Sequence, residues 1–344
     1  MALFSRADRT FNLELAREGS ALVERVHLDH ADTQREQHDS EHAALAAYRQ
    51  RFVEIVNEGW HLVLGDPDIA RPVACDPTIE AAISIDDREQ LAVYADWLIE
   101  RGDPCGELAA LRARAEAAPT PALTTAIAEL EEARGDEIFG LYAGLVDQGV
   151  IELAWTHGWV TTIRVGQREP ARPPPYRHHP ESSHGTLVGI VLLAPIARFV
   201  RHLEFPRVHT SDVRSAIATS PRRDSIRQLT VTSPHHVQEL LDVMPKLEIL
   251  AMPAGTKVRG HASVDTIKLA IDTPEVIPDL LQGEWPSLRS VSITSRRDIS
   301  AALAMLAERP LMATLRVLEV TAPLETPIIR VLREAHPHID IKAS

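Results

Sequence analysis

The side chains in this chain that could do chemistry fall into three groups. The carboxylates Asp96, Glu100, Asp103 and Glu107 recur every three or four residues and offer the oxygen ligands that a hard cation takes. The same residues fit helix caps and a charged turn, and no histidine joins them at ligand spacing, so the structural reading is preferred. The 16 histidines gather as His27 with His30, His178-His179 with His184, and His235-His236. A closed zinc site needs ligands converging from the fold, and the middle group lies instead in a proline-rich run. Cys75 and Cys105 are the two cysteines, too few for a disulfide framework. Cys105 follows Pro104 near a helix start, where a thiol can be acidified. The sequence supplies it no partner, and it is read as structural. There is no Gly-x-Ser-x-Gly elbow, no Gly-Lys-Ser/Thr phosphate loop and no Gly-x-Gly-x-x-Gly turn. The sequence therefore predicts a non-enzymatic protein with no catalytic residue, no cofactor and no metal.

Charge narrows the partners. The chain has 344 residues, long for one domain, and a formal charge of −13. Lys and Arg against Asp and Glu number 7 against 11 in residues 1–64, 10 against 21 in 65–194, and 19 against 17 in 195–344. Nucleic-acid binding draws its affinity from cations on phosphates, so no segment is a good electrostatic candidate. No segment approaches the roughly 20 apolar residues of a membrane span, and no signal-length apolar run follows Met1. A soluble, cytoplasmic protein with no membrane partner is expected.

The elements that could position a site are clearest in the last 150 residues. Short apolar segments recur there, anchored on Leu203, Leu229, Leu250, Ile267, Val291, Leu318 and Ile339, at spacings of 26, 21, 17, 24, 27 and 21 residues. Such periods mark a solenoid, in which each strand-plus-helix unit buries its apolar face only against its neighbours. Amphipathic stretches lie between the strands, at Val213–Ala218, Val237–Val243, Val276–Leu281, Ile299–Leu306 and Pro327–Glu334. With 4% aromatics, aliphatic residues must supply most of the core.

Pro-x-Leu precedes two of these strands, as Pro245-Lys246-Leu247 and Pro286-Ser287-Leu288. The segments resemble leucine-rich repeats of an irregular kind. That family usually places Asn or Cys after each strand to bond adjacent turns. The only asparagines here are Asn12 and Asn57, and neither cysteine lies in the repeats, so the turns must be satisfied by other groups. The fold class expected is α/β, a leucine-rich-repeat-like solenoid of parallel strands preceded by two smaller modules.

The first module is residues 1–64. TFNLELAREG alternates apolar and polar residues and turns at Gly19, and SALVERVHL resumes the pattern, which predicts a hairpin. Asp39 or Ser40 can cap a helix carrying Ala44, Leu45, Tyr48, Phe52, Ile55 and Val56 on one face. Gly59 stops it, and Trp60 to Val63 can close the sheet. This arrangement resembles a WGR domain, known from poly(ADP-ribose) polymerases and many bacterial proteins, some of which bind DNA. The naming Trp-Gly-Arg triplet is absent, and Glu24-Arg25-Val26-His27 lies about where it should be.

The second module is residues 77–150, predicted helical, after a proline- and aspartate-rich linker at 65–76. A helix over Arg88–Arg101 places Leu91, Tyr94, Ala95 and Leu98 on one face, and Trp97 and Leu98 are expected to anchor it. Gly102 can take the left-handed position that ends a helix, and Asp103-Pro104 opens the next. The run Tyr94-Ala95-Asp96-Trp97-Leu98, Glu100, Gly102-Asp103-Pro104, Gly106-Glu107 is similar to the signature of the bacterial repeat-companion domain. That resemblance implies a domain that accompanies repeats, often leucine-rich ones, and no enzymatic activity. Residues 151–344 follow: a strand pair turning at His157-Gly158, a proline-rich loop at 166–185, an apolar helix from Thr186, and the repeats.

In a repeat strand the residues between the inward anchors face outward. That row is His202, Glu204, Gln228, Thr230, Ile249, Ala251, Thr266, Lys268, Ser290, Ser292, Val317 and Glu319. It is polar, small and of mixed charge, which suits a protein better than a phosphate. The sequence points to a protein-binding scaffold or adaptor using this concave row. The alternative is a nucleic-acid-associated protein working through the WGR-like module, and the competing reading of the row is a solvated face with no ligand.

Overall fold

The computed structural model describes residues 77–139, 151–165, 194–205, 222–232, 237–253, 256–271, 283–324 and 326–344. It also describes the strand residues of 2–38 and 61–64, and a few isolated positions. The protein is α/β. It divides into two compact units, residues 1–200 with 215–222, and residues 201–214 with 223–344.

The first unit opens with five antiparallel strands, β1 (Ala2–Arg6), β2 (Arg9–Glu18), β3 (Ala21–Leu28), β4 (Ala31–His38) and β5 (His61–Leu64), in the order β4-β3-β2-β1-β5. The β2–β3 hairpin pairs Leu13 with Val26 and Glu18 with Ala21, across the expected turn. The sequence pattern does not mark strands β1 and β4. ALFSR is too short to show a period. ADTQREQH carries no apolar alternation, and it is held by backbone pairing to β3 alone among the described strands. The expected helix over 39–56 and the linker at 65–76 lie outside the described residues, Arg51 excepted.

Four helices follow: α1 (Pro77–Ala82), α2 (Arg88–Ile99), α3 (Pro104–Ala117) and α4 (Pro121–Phe139). Asp87 caps α2, its carboxylate accepting the Glu89 and Gln90 amides at 3.1 and 3.0 Å. The helix buries Leu91, Tyr94, Ala95 and Leu98, the face that the spacing marks. Gly102 ends it at φ +74°. The Gly102 amide donates to the Ile99 carbonyl at 2.9 Å and the Asp103 amide to that of Leu98 at 3.0 Å, the paired bonds of a Schellman ending. Asp103 then caps α3, accepting the Cys105 amide at 2.9 Å, with Pro104 in the first helical turn. One four-residue connection thus ends one helix and starts the next.

Strands β6 (Ile151–Thr156) and β7 (Trp159–Val165) form the expected antiparallel hairpin. His157 and Gly158 supply its turn at φ +51° and +84°. A Cβ on Gly158 would lie 2.0 Å from the Ala109 carbonyl oxygen, so the turn sits directly on α3 and only glycine fits. Val188 and Leu192 are helical and buried, and the rest of 186–191 lies outside the described residues with the loop at 166–185.

The second unit carries seven strands in chain order: β8 (His202–Phe205), β9 (Gln228–Val231), β10 (Ile249–Pro253), β11 (Thr266–Ile271), β12 (Ser290–Ser295), β13 (Val317–Thr321) and β14 (Asp340–Ala343). All six ladders between them are parallel. The register stacks Leu203, Leu229, Leu250, Ile267, Val291, Leu318 and Ile341 in one column, and every member is buried. The seventh anchor is therefore Ile341, not Ile339. Ile339 is also apolar and buried, and an alternating pair cannot reveal register on its own. Helices α5 (Val237–Leu241), α6 (Ser300–Ala307) and α7 (Thr326–Ala335) lie between strands. Residues 213–214 and 217–218 are also helical, and 276–281 lies outside the described residues.

Main-chain bonds link the starts of successive strands. The Arg201 carbonyl accepts two amides at the start of the next strand, Arg227 and Gln228, at 2.8 and 2.9 Å. The carbonyls of Arg227, Glu248, Asp265 and Arg289 each do the same one strand further on. Hydroxyl and imidazole groups serve the carbonyls just before the strands. Ser263 Oγ donates to Leu247 at 2.6 Å, Ser287 Oγ to Ala262 at 2.6 Å, and His338 Nε2 lies 2.9 Å from the Met312 oxygen.

Candidate functional site

The outward row stands where the sequence places it, on one face of the second unit's sheet. Two lines of side chains cross the strands in register. The first is His202, Gln228, Ile249, Thr266, Ser290 and Val317, and the second is Glu204, Thr230, Ala251, Lys268, Ser292 and Glu319. The alternation that sends Leu250 and Met252 inward sends Ile249 and Ala251 out. All twelve are half-buried except Lys268, which is exposed. The face is thus accessible but not bare.

Its polar groups are partly engaged. His202 Nε2 lies 2.8 Å from Thr230 Oγ1. Glu319 accepts from Lys342 at 3.2 Å, and Lys342 also lies 3.7 Å from Asp340. The ammonium of Lys268 has no counter-ion among the described residues. The apolar members are Ile249, Ala251 and Val317, set among serine and threonine. Such a floor offers hydroxyl donors and acceptors, two apolar footholds and one cation. It offers no convergent acid, base or nucleophile. Among the described residues no group of three or more His, Cys, Asp or Glu side chains could hold a metal ion.

The carboxylates of the run Tyr94–Glu107 are not brought together. Asp96, Glu100 and Glu107 are exposed, whereas Asp103 is 3% exposed. Asp103 belongs to a different cluster, around a guanidinium the sequence reading missed. Arg198, in the 3-10 turn Pro195–Phe199, has a fully buried side chain. It donates to Asp103 Oδ2 at 3.1 Å, to the Tyr94 hydroxyl at 3.2 Å and to the Pro195 carbonyl at 2.9 Å. The Tyr94 hydroxyl donates to Glu80 Oε1 at 2.6 Å, and Arg222 reaches Glu80 Oε2 at 2.9 Å. Two cations face two carboxylates, so the buried cluster is neutral. Burial opposes the charge on Arg198, but Cys105, Asp103, Tyr94 and Glu80 together more than offset it and hold its pKa above the ordinary value.

Aromatic rings enclose this cluster. Tyr94 meets Phe199 edge-on at 5.6 Å and Trp159 at 5.7 Å, and Trp159 meets Phe199 at 4.9 Å. Trp97, expected as a core anchor, is only half-buried. It stacks on Tyr94 at 5.5 Å with the Arg101 guanidinium over its outer face at 3.9 Å. The fully buried tryptophan is Trp159. Burial pushes the Cys105 thiol well above its ordinary value, with Arg198 only partly opposing it, so the helix start does not yield a reactive thiolate. The histidine groups at 178–184 and 235–236 lie outside the described residues, and so does His30; His27 falls in β3.

The cluster had one legible signal: Arg198 is the only charge in the apolar run Leu192–Val200. A charge in such a run must find a partner, but nothing in the sequence says which.

No protein-family profile matches the chain, and no curated protein matches it. Among solved structures, one from Bacteroides fragilis aligns over 100% of this chain and 95% of its own at 9% identity, with a TM-score of 0.28. At that score the likeness carries no argument. Among the described residues no helix is long and apolar enough to cross a membrane.

Proposed function

We propose that the protein is a non-enzymatic scaffold or adaptor that binds another protein through the outward face of β8–β13, read as the concave face of an irregular leucine-rich-repeat solenoid. The observation that carries this reading is the in-register pair of lines, which sets Ile249, Ala251 and Val317 half-buried among small hydroxyl side chains. Parallel sheets are ordinarily covered on both faces. Apolar residues flanked by small polar ones are also the usual makeup of an interface centre. The six parallel ladders and the 17–27-residue spacing support the repeat reading. The first unit, with its WGR-like and repeat-companion-like segments, is read as a second docking module.

Co-purification from the native host tests this. Ile249→Arg and Val317→Arg are expected to lose a partner that the parent retains, with the melting temperature unchanged. Arg330→Glu, on the exposed side of α7, is expected to retain it. A partner held equally by all three variants contradicts the proposal. DNA should show no mobility shift at about 150 mM salt, where a binder relying on few cations loses its affinity. A salt-sensitive shift would favour the N-terminal module instead.

A further inference from the structure

The same sheet face carries a spacing that specifies more than a generic partner. Ile249 on β10, Thr266 on β11, Ser290 on β12 and Val317 on β13 stand side by side in one register. The two apolar footholds are thus three strand steps apart, about 14 Å at the usual separation of neighbouring strands. Between them, on β11 and in line with Ala251 and Ser292, Lys268 stands exposed with no counter-ion among the described residues. Other charges on the face are accounted for differently. Glu319 is bound by Lys342, and Glu204 lies three strands away from Lys268. Glu248 and Asp265 precede their strands, and Asp265 is three residues, or about 10 Å of extended chain, from Lys268.

We infer that the occupant of this face is an extended peptide segment of the pattern apolar-x-acidic-x-apolar, laid across β10–β13. This rests on the docking reading above. An extended chain advances about 3.3 Å per residue and turns every second side chain to the same side. Residues i and i+4 then stand about 13 Å apart, which matches the distance from Ile249 to Val317. Residue i+2 falls midway, within reach of the long, flexible Lys268 side chain, and a carboxylate there supplies the missing counter-ion. The serine and threonine hydroxyls between the footholds can meet the backbone polar groups of such a segment. A lysine at i+2 would face Lys268, and like charges there repel.

Fluorescein-labelled Ser-Leu-Ser-Asp-Ser-Leu-Ser, its Lys-for-Asp version and its Ser-for-Leu version are titrated into the full chain by fluorescence anisotropy. The acidic peptide is expected to bind more tightly than the lysine peptide by about fivefold, the scale of an exposed ion pair, and to lose that margin at high salt. Lys268→Glu, at an exposed position, is expected to reverse the order. Ile249→Arg, Val317→Arg and the Ser-for-Leu peptide are each expected to lose binding. Equal binding of acidic and lysine peptides, no binding of either, or a preference untouched by Lys268→Glu overturns the inference. If that happens while partner retention still depends on Ile249 and Val317, the docking face stands and only the acidic segment falls. If partner retention is also insensitive, the docking reading falls with it. A dimer in sedimentation that Ile249→Arg dissociates would assign the face to a second copy and likewise overturn the inference.

Discussion

Arg198 shows how one residue can determine the character of a core. Its guanidinium has no exposed side-chain surface and depends on Asp103, Tyr94 and a backbone carbonyl. Removing one partner of such a pair leaves a buried charge unmatched, which costs about 3–5 kcal/mol. Asp103→Asn keeps an oxygen for the Cys105 amide, so it isolates the charge from the cap. Urea unfolding should show a loss on the order of 3 kcal/mol, and a loss no greater than that of a surface substitution would mean the pair is not coupled to folding. Residue scale also sets a pH dependence. Burial lowers the His261 pKa, against opposing bonds to the Met244 and Leu241 carbonyls and the charge of Asp242. Its ring nitrogen Nδ1 accepts the Ser263 amide at 3.3 Å, which requires that nitrogen unprotonated. Because the unfolded chain takes up the proton first, this contribution is present above about pH 6.5 and is lost as pH falls below it. The thermal midpoint of the parent should fall more between pH 7.5 and 5.5 than that of His261→Gln. Parallel pH profiles would contradict the assignment.

At the scale of elements, periodicity and turn chemistry were legible, and long-range pairing was not. Helix α2, its glycine ending, the aspartate cap of α3, the hairpin at His157-Gly158 and the seven strand positions all follow from local signals. What failed is instructive. The last strand slipped by two residues, because Ile339 and Ile341 look alike until β13 fixes the register. Trp97, expected as an anchor together with Leu98, is only half-buried. The helix turns only 100° per residue, and that leaves Trp97 at the edge of the apolar face while Tyr94 and Leu98 take the centre. The buried tryptophan came from a hairpin some 60 residues on, a pairing that no window on α2 contains. Trp159→Ala is therefore expected to cost about 3–5 kcal/mol. Trp97→Ala should cost clearly less, since its side chain is partly exposed and one of its faces meets the Arg101 guanidinium in a cation–π contact. Equal losses in the two variants, measured by urea unfolding, would contradict this packing. Successive strands of the second unit are also linked by carbonyls at the strand starts that each take two amides. Only the side chains that assist them, Ser263, Ser287 and His338, leave any trace in the sequence.

The whole molecule comprises a unit with a buried ionic and aromatic cluster and a unit whose parallel strands pair in register. The first gathers its buried ionic groups around Arg198. The second presents a regular face that the sequence could mark residue by residue, because the period of two along each strand leaves little freedom once the inward column is known. The identity of whatever fills that face was not legible, since binding depends on what the partner brings. The central claim is that the face is a docking surface. Its most direct test is retention of a co-purified protein by the parent and by Ile249→Arg and Val317→Arg, with melting temperatures measured alongside. The account predicts that both variants lose the partner while melting like the parent. Retention of the partner by both stably folded variants would contradict it.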